Sequence, residues 1–525
     1  MKFPMKHTVW SIIIILITAA GCGQNSQNQV LGEPVRPNII YILADDLGYG
    51  DVGAYGQDKI ETPNIDALAK SGMMFTQHYT SAPVCAPARY MLLTGLHSGH
   101  AYIRGNDEWG DRGDVWSYRA MIGDSTLEGQ RPVPAGTRTF AMDLQDAGYR
   151  TGMIGKWGLG APHTSSVPNA MGFDYYFGYN CQRQAHTYRP VHLYENRNRL
   201  YLGNDTIPPH QRLAEDVDPY DSSNYFPYET GAYAPGVMFE KLSAFVADSG
   251  ENPFFLYWAS PIPHLALQAP KRWVDYYVQK FGEEEPYDGS QGYFPARYPR
   301  ATYAAMISYL DENIGKLVEQ LKEMGEYENT LIIFTSDNGP AFNGGTDTPW
   351  FESAGPFRCD YGRGKGFVYE GGIRVPMIAS WPGRIEAGST SDHVSVQYDI
   401  YATLSDIAGF KAPPGTDGIS FAPALFGESD QARHEFLYWE FPEYGGQVAI
   451  RMGKWKVIRR NLKNDEAPTL ELYDLEADPE ESANLADRHP EIIENAAEIF
   501  AREHEDAQTE RFRIPVIESG LLAGD

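Results

Sequence analysis

Four short stretches of the chain are apolar almost without interruption. Asn38–Ala44 (NIIYILA) runs into Asp45-Asp46, and similar runs occur at Thr151–Ile154, Pro253–Ala259 and Leu331–Thr335. Runs this short suit strands buried on both faces of a sheet. Polar residues at their C-terminal ends then lie at the edge where α/β sheets bind ligands. The longest helical spacing spans Ala301–Met324, with Gly325 as its stop signal. Helices alternating with buried strands predict an α/β domain with a mostly parallel or mixed sheet. No internal repeat is visible.

From about residue 431 the pattern changes. Phe436–Phe441, Gln447–Arg451, Trp455–Arg459 and Leu470–Tyr473 read as short antiparallel strands, with Gly445-Gly446 and Met452-Gly453 at turns. A helix follows from about Pro490 to Glu505. This predicts a main α/β domain over 36–430 and a small C-terminal antiparallel α+β subdomain over 431–525. The Tyr-, Pro- and Asp-rich stretches Asn196–Pro235 and Gly282–Pro299 have weak periodicity. They are long insertions, either solvated decoration or a site rim that carries specificity.

At the N-terminus, Lys2 and Lys6 precede an apolar run from Val9 to Ala20, which has the layout of a secretory signal. The following Ala19-Ala20-Gly21-Cys22 resembles a bacterial lipobox, with Ala19 in place of the usual Leu. This reading makes 1–22 a lipoprotein signal with Cys22 lipidated, and 23–35 a flexible tether. The alternative is a plain signal peptide with an incidental Cys. The expectation is an exported protein, anchored to the cell envelope and touching the membrane through lipid only.

The 525 residues carry 70 Asp+Glu against 43 Lys+Arg, a net charge of −27. Such a balance argues against a nucleic-acid partner, because affinity for phosphate backbones comes mainly from Lys and Arg. The four cysteines, at 22, 85, 181 and 359, are too few and too scattered for a disulfide framework or a zinc cluster. Cys181 and Cys359 either pair or remain free thiols.

Candidate chemistry starts at the strand ends. The adjacent carboxylates of Asp45-Asp46-Leu47-Gly48 are costly to bury unless a cation neutralises them. Ser336-Asp337-Asn338-Gly339 follows another strand, and the two motifs together make an all-oxygen set suited to Ca²⁺ or Mg²⁺ and not to Zn²⁺. Taken singly, each Asp motif is also compatible with a loop cap. In Pro83-Val84-Cys85-Ala86-Pro87-Ala88-Arg89, Pro87 marks a helix start and places Cys85 at its N-terminus, where an anion is favoured. Position alone leaves two readings, an activated thiolate or a buried structural Cys.

The Cys85-x-Pro87-x-Arg89 run, continued by Leu92-Leu93-Thr94-Gly95, resembles the type I sulfatases of the alkaline-phosphatase superfamily. Further landmarks follow in the family's order: Thr62-Pro63-Asn64-Ile65-Asp66, Gly148-Tyr149-Arg150-Thr151 with Gly155-Lys156-Trp157, Tyr369-Glu370-Gly371-Gly372-Ile373-Arg374-Val375-Pro376, and Tyr473-Asp474-Leu475 with Asp478-Pro479-Glu480. The resemblance covers about residues 36 to 505 and implies an alkaline-phosphatase-like mixed sheet flanked by helices. It also implies that a formylglycine-generating or sulfatase-maturing enzyme oxidises Cys85 to formylglycine. One hydroxyl of the hydrated aldehyde would attack sulfur, and loss of a proton from the other would expel sulfate. Asp45, Asp46, Asp337, Asn338 and the modified Cys85 are implied ligands of Ca²⁺, with Mg²⁺ second. Arg89 would hold the formylglycine and neighbouring carboxylates, Lys156 and Lys365 the sulfate oxygens, and His264 would be the general acid. Arg374 reads as structural.

One departure stands out. The family usually continues Gly-Lys-Trp with a histidine taken to assist sulfate elimination, and Gly158 stands there instead. The polar cluster Gln182-Arg183-Gln184-Ala185-His186 suggests that His186, with Gln182 or Arg183, fills the vacated space and contacts sulfate or sugar; the alternative is a loop histidine without a role. Arg104 and Asn106, shortly after the Cys85 helix, are further candidates to line the pocket. The expected activity is hydrolysis of sulfate esters on a sulfated carbohydrate. The alternatives are a phosphonate monoester hydrolase or phosphodiesterase with the same nucleophile, or an inactive glycan-binding lipoprotein.

Overall fold

The computed structural model describes residues 1–2, 36–250, 252–464 and 466–518. Cys22, most of the expected signal and the tether lie outside them. The central sheet has ten strands, in the order Ser389–Ser391, Met73–Phe75, Met377–Ser380, Thr330–Ser336, Asn38–Asp45, Phe254–Pro263, Arg150–Lys156, Tyr175–Tyr179, His192–Glu195 and Asn198–Tyr201. The five strands from Thr330–Ser336 to Tyr175–Tyr179 are mutually parallel, and antiparallel pairs lie to either side. This is the mixed sheet expected from the apolar runs.

Alternation explains why those runs contain no polar gap. Ile40, Ile42, Leu256, Trp258, Ile332 and Phe334 face one layer of the core, while Ile39, Tyr41, Leu43, Phe255, Tyr257, Leu331 and Ile333 face the other. The helices Ala234–Ala247 and Pro299–Met324 cover the first face, with Leu242, Phe245, Ile307, Leu310 and Ile314. Cys85–Thr94, Phe140–Asp146 and Asp399–Ala408 cover the second, with Met91, Leu92, Leu144, Ile400 and Leu404. Each such side chain contributes about 1.5–3 kcal/mol when fully buried. The sheet is therefore a rigid base for whatever its strand ends carry.

The strands Leu437–Phe441, Gln447–Met452, Trp455–Arg460 and Thr469–Asp474 form a separate antiparallel sheet. One face packs on Ile499 and Phe500 of the helix Pro490–Glu503. The other shares a core with Tyr79, Val84, Phe367, Tyr369 and Ile373. Trp439 Nε1–H donates to Thr80 O at 2.9 Å, and Gln447 Nε2–H to Gly366 O at 2.9 Å. Buried Lys456 bridges Glu370 and Glu481, each at 2.9 Å. The small sheet thus braces the segments on which Cys85 and Lys365 stand.

Candidate active site

The site grows from strand ends brought level by register. Ala44 lies opposite Ser336, and Asp45 opposite Pro263 across an irregularity after Leu43. Asp45-Asp46, Asp337-Asn338, His264 and Lys156 consequently emerge at one edge of the sheet. Asp46 adopts a left-handed φ of 67°, a conformation sparsely populated by non-glycine residues. Its N–H donates to Asp337 Oδ1 at 3.1 Å, and Leu47 N–H to Ser336 Oγ at 3.0 Å, which ties the two acidic loops together. Thr80 Oγ1–H donates to Asp337 O at 2.5 Å, and Gln397 Nε2–H to Ser336 O at 2.6 Å.

Cys85 opens the helix Cys85–Thr94, after Val84 in extended conformation. Asn106 Oδ1 accepts from Ala86 N–H at 3.3 Å and so serves the free amide end. Cys85 Sγ lies 3.4 Å from Asp45 Oδ1, 3.5 Å from Lys156 Nζ and 3.6 Å from Lys365 Nζ. Burial, and then Asp45, push the thiol pKa up to about 12 against the pull of both lysines. An activated thiolate is therefore not what this environment makes of an unmodified Cys85.

Cations and carboxylates interleave around it. Lys156 Nζ sits 2.6 Å from Asp45 Oδ2, and Lys365 Nζ 2.6 Å from Asp46 Oδ1. Arg89 Nη2 reaches Asp337 Oδ2 at 2.8 Å and Asp45 Oδ2 at 3.4 Å, and its Nη1 donates to Lys156 O at 2.5 Å. Burial would raise the Asp45 pKa, yet Lys156, with His264, Arg89 and Lys365, holds it below the ordinary carboxylate range. Asp337 is pushed up to about 7 by burial and by Asp45, with Arg89 opposing. Asn338 Nδ2–H donates to Asp46 Oδ1 at 2.8 Å, while its buried Oδ1 has no hydrogen-bond partner among the described residues. A partnerless amide oxygen beside three buried carboxylates fits the donor set of a hard cation. Asp45, Asp46, Cys85 and His264 each offer an atom within 4.8 Å of the others.

His264 Nδ1–H donates to Leu265 O at 2.6 Å, which leaves Nε2 facing the site, 3.8 Å from Asp46 Oδ2. Burial, with Lys156 and Lys365, lowers its pKa. His186 stacks on His264 with centroids 5.5 Å apart. It does not fill the space at Gly158. A side chain there would meet Gln182, with Nε2 at 2.8 Å and Cγ at 2.9 Å. Gln182 also donates to Gly158 O at 3.4 Å.

Two candidates lie elsewhere. Arg104 is 2% exposed and is consumed by Glu440 Oε1 at 2.9 Å and by the carbonyls of Gly99, Ala101 and Glu505. It ties Glu440 of the C-terminal sheet to the segment that follows the Cys85 helix, and those bonds take up its guanidinium. Arg183 is ion-paired with Glu108 and donates to Leu127 O at 2.9 Å, so its charge is spent on the 108–127 loop. Arg374 is structural as expected, held by Glu370 and Thr76 O. Cys181 and Cys359 are free thiols in separate apolar clusters. A second cluster, His97, His100 and Asp417, reads as a hydrogen-bonded tie. His97 Nδ1 accepts from Gly99 N–H at 3.1 Å, so its proton sits on Nε2 facing Glu503 and blocks that nitrogen as a ligand.

Sequence reasoning passed over Tyr293 and His210. Both rings lie beside His186, with centroids 5.1 and 5.3 Å away. Each sits in a polar insertion where no periodicity marks it. The available signal was a histidine or tyrosine among Pro and Gly in a segment otherwise rich in acidic residues.

The sulfatase family description matches residues 37–410, and one described as N-sulphoglucosamine sulphohydrolase, C-terminal, matches 362–506. The chain is 32% identical over 458 residues to the N-acetylgalactosamine-6-sulfatase of Canis lupus familiaris, covering 86% of this chain and 75% of that one. It is 28% identical to the N-acetylgalactosamine-6-O-sulfatase of Bacteroides thetaiotaomicron, covering 93% and 96%. Among solved structures, Ps i-CgsB in complex with k-i-k-neocarrahexaose aligns with a TM-score of 0.69 and 27% identity, covering 92% of this chain and 96% of that one. With the ordered motifs and the strand-end site, these matches make the chain a member of the sulfatase family and a sulfuric ester hydrolase.

Proposed function

We propose that the protein removes sulfate from a sulfated carbohydrate with a formylglycine derived from Cys85 and a calcium ion held by Asp45, Asp46, Asp337 and Asn338. The observation that carries this is the position of Cys85, within 3.6 Å of both lysines and of Asp45 at the sheet edge. Formylglycine supplies a hydrated aldehyde whose hydroxyl is a nucleophile toward sulfur. Calcium, bound to that oxygen set, supplies positive charge that acidifies the hydroxyl and offsets the carboxylates. The partnerless Asn338 Oδ1 supports such a ligand; Mg²⁺ fits the same donors less well, because it demands tighter octahedral geometry.

The remaining groups act on the substrate. Lys156 and Lys365 flank Cys85 and are placed to hold sulfate oxygens while charge develops on the departing alkoxide. Arg89 fixes Asp337 and the Lys156 backbone, so the lysine approaches from one direction. His264, steered by its Nδ1–H bond, presents Nε2 and is the general acid for the leaving oxygen. A sulfate anion beside it would oppose the field of the two lysines that keeps its pKa down. His186 forms the adjoining wall, for sulfate or sugar.

A sulfated sugar is supported by the relatives' names and by the oligosaccharide bound to the structural neighbour. The lipobox-like Cys22 supports export with a lipid anchor, and the Cys85 motif supports maturation by a formylglycine-generating or sulfatase-maturing enzyme. The test is the mass of the Cys85 peptide from natively expressed protein, run beside sulfate release from a panel of sulfated monosaccharides. Formylglycine together with release from at least one sugar is the expected result. An unmodified cysteine in fully active protein would overturn the mechanism.

A further inference from the structure

Nothing in the chemistry above fixes which nitrogen of His186 carries its proton, but its neighbours do. Tyr293 N–H donates to His210 Nδ1 at 2.9 Å. A ring nitrogen that accepts a hydrogen bond carries no proton, so neutral His210 is protonated on Nε2. That Nε2 lies 3.2 Å from His186 Nδ1, so the bond runs from His210 to His186. His186 Nδ1 is therefore an acceptor, and the proton of its neutral ring is on Nε2. No hydrogen bond to that Nε2 is formed among the described residues. Burial, with His264 adding to the effect, pushes His186 below the ordinary histidine range, while the ring of the exposed His210 is neutral because its Nδ1 accepts a hydrogen bond.

The backbone is shaped for this chain of bonds. His210 and Tyr293, from two separate insertions, have φ of 65° and 63°, both in the left-handed region that non-glycine residues seldom occupy. A side chain at Gly292 would stand 3.3 Å from His210 Nδ1, and one at Gly344 2.9 Å from Tyr293 Cδ2. Those glycines leave room for the amide and the ring to approach. The Tyr293 ring lies 4.9 Å from His210, 5.1 Å from His186 and 5.9 Å from His264, so one residue orders all three imidazoles.

We propose that His210 and Tyr293 are positioning residues that hold His186 as a neutral Nε2–H donor for an oxygen of the bound sulfated sugar. The proposal rests on the reading that His186 lines the substrate pocket. It gives that wall a polarity: it recognises a hydrogen-bond acceptor. It also removes His186 from the candidates for the base that expels sulfate, because its open nitrogen carries a proton and no free lone pair.

The test uses full-length protein carrying the modified residue, with His186 assigned by comparison with His186→Ala. In ¹⁵N-histidine NMR spectra, His186 should show the Nε2–H tautomer in the wild type and in His210→Gln, whose amide can still donate, and a mixture in His210→Ala. In kinetics with 4-nitrophenyl sulfate and with the sulfated monosaccharide turned over fastest in the panel, His210→Ala should raise KM for the sugar about tenfold and change kcat by less than about threefold. His210→Gln should restore KM, and His210→Ala should add nothing in a His186→Ala background. An Nδ1–H tautomer in the wild type, or an equal effect of His210→Ala with His186 absent, would overturn the proposal. Failure of the sulfatase mechanism would appear differently, as a wild type inactive on both substrates while the tautomer spectra still report.

Discussion

Gln182 occupies the space that a side chain at Gly158 would need: its Nε2 is 2.8 Å from the position of a Cβ there. Gly158 also has a φ of 75°, which penalises any other residue. Gly158→Ala is therefore expected to cost about 2–3 kcal/mol, from left-handed strain and crowding together. In a Gln182→Gly background only the strain should remain, about 1–2 kcal/mol. Thermal unfolding of the four proteins checks this, and an equal cost in both backgrounds would remove Gln182 from the explanation.

Arg89 joins Asp337, Asp45 and the Lys156 carbonyl while 1% exposed. Arg89→Ala would leave buried carboxylates short of a partner, a loss of about 3–5 kcal/mol. Arg89→Lys keeps the charge but not the two-nitrogen grip on Asp337, so it should cost less stability than Arg89→Ala and still lower kcat by about 10²-fold or more through misplacement of Lys156. Denaturant unfolding and turnover of 4-nitrophenyl sulfate measure the two effects. Wild-type kcat in Arg89→Lys would mean that the grip on Asp337 is not needed to place Lys156.

Calcium should stabilise the protein by mass action. At one hundred times its dissociation constant, the gain is about 2.7 kcal/mol. Asn338→Leu removes the partnerless oxygen and should weaken the calcium-dependent rise in Tm at least about tenfold in calcium concentration. Melting curves of chelator-treated protein across calcium and magnesium titrations decide the matter. If both proteins respond alike, Asn338 is no ligand.

How far the sequence could be read depends on what holds each residue. Asp45 and Asp337 were legible because each follows an unbroken apolar run, and a run buried on both faces leaves the polar residues after it at the sheet edge. His264, five residues past Ala259, was legible only through the family resemblance. Arg104 misled for the opposite reason. Its nearness to Cys85 in sequence suggested the pocket, but the carboxylate that claims it, Glu440, comes from a sheet 336 residues later. His210 and Tyr293 were illegible because left-handed turns in aperiodic insertions bring them to His186. Gln182 stands in the expected neighbourhood, but a sequence does not distinguish a side chain that fills a space from one that lines it.

The brace formed by the C-terminal sheet carries its own prediction. Lys456 is wholly buried between Glu370 and Glu481, and Glu370 lies five residues from Lys365. Lys456→Met would leave Glu481 without a cation and Glu370 with Arg374 alone. The expected loss is about 3–5 kcal/mol, and Lys456→Met/Glu370→Gln/Glu481→Gln should recover much of it. Unfolding monitored by tryptophan fluorescence reports this, and a triple variant no more stable than the single would show that the charges are not the cause.

Asp311 supplies a pH dependence remote from the site. It stands on the helix Pro299–Met324, 2% exposed, and accepts from Asn64 N–H at 2.9 Å, Ile65 N–H at 2.8 Å and Asn64 Nδ2–H at 2.7 Å. It thereby caps the helix Pro63–Ser71, whose own N-cap Thr62 makes no capping bond. Burial outweighs those bonds and pushes its pKa up to about 6 from an ordinary 3.8. A carboxyl with a raised folded pKa binds more protons folded than unfolded, so its contribution to stability is full below 3.8 and is lost as pH rises through about 6. Asp311→Asn keeps an oxygen for the two backbone amides and removes the titration. Between about pH 4 and pH 7 the wild type should therefore lose about 2–3 kcal/mol relative to the variant. Denaturant unfolding of both proteins across that range reads the difference directly. Parallel stability curves would mean that Asp311 titrates at its ordinary value, and that the cap is more hydrated than its burial implies.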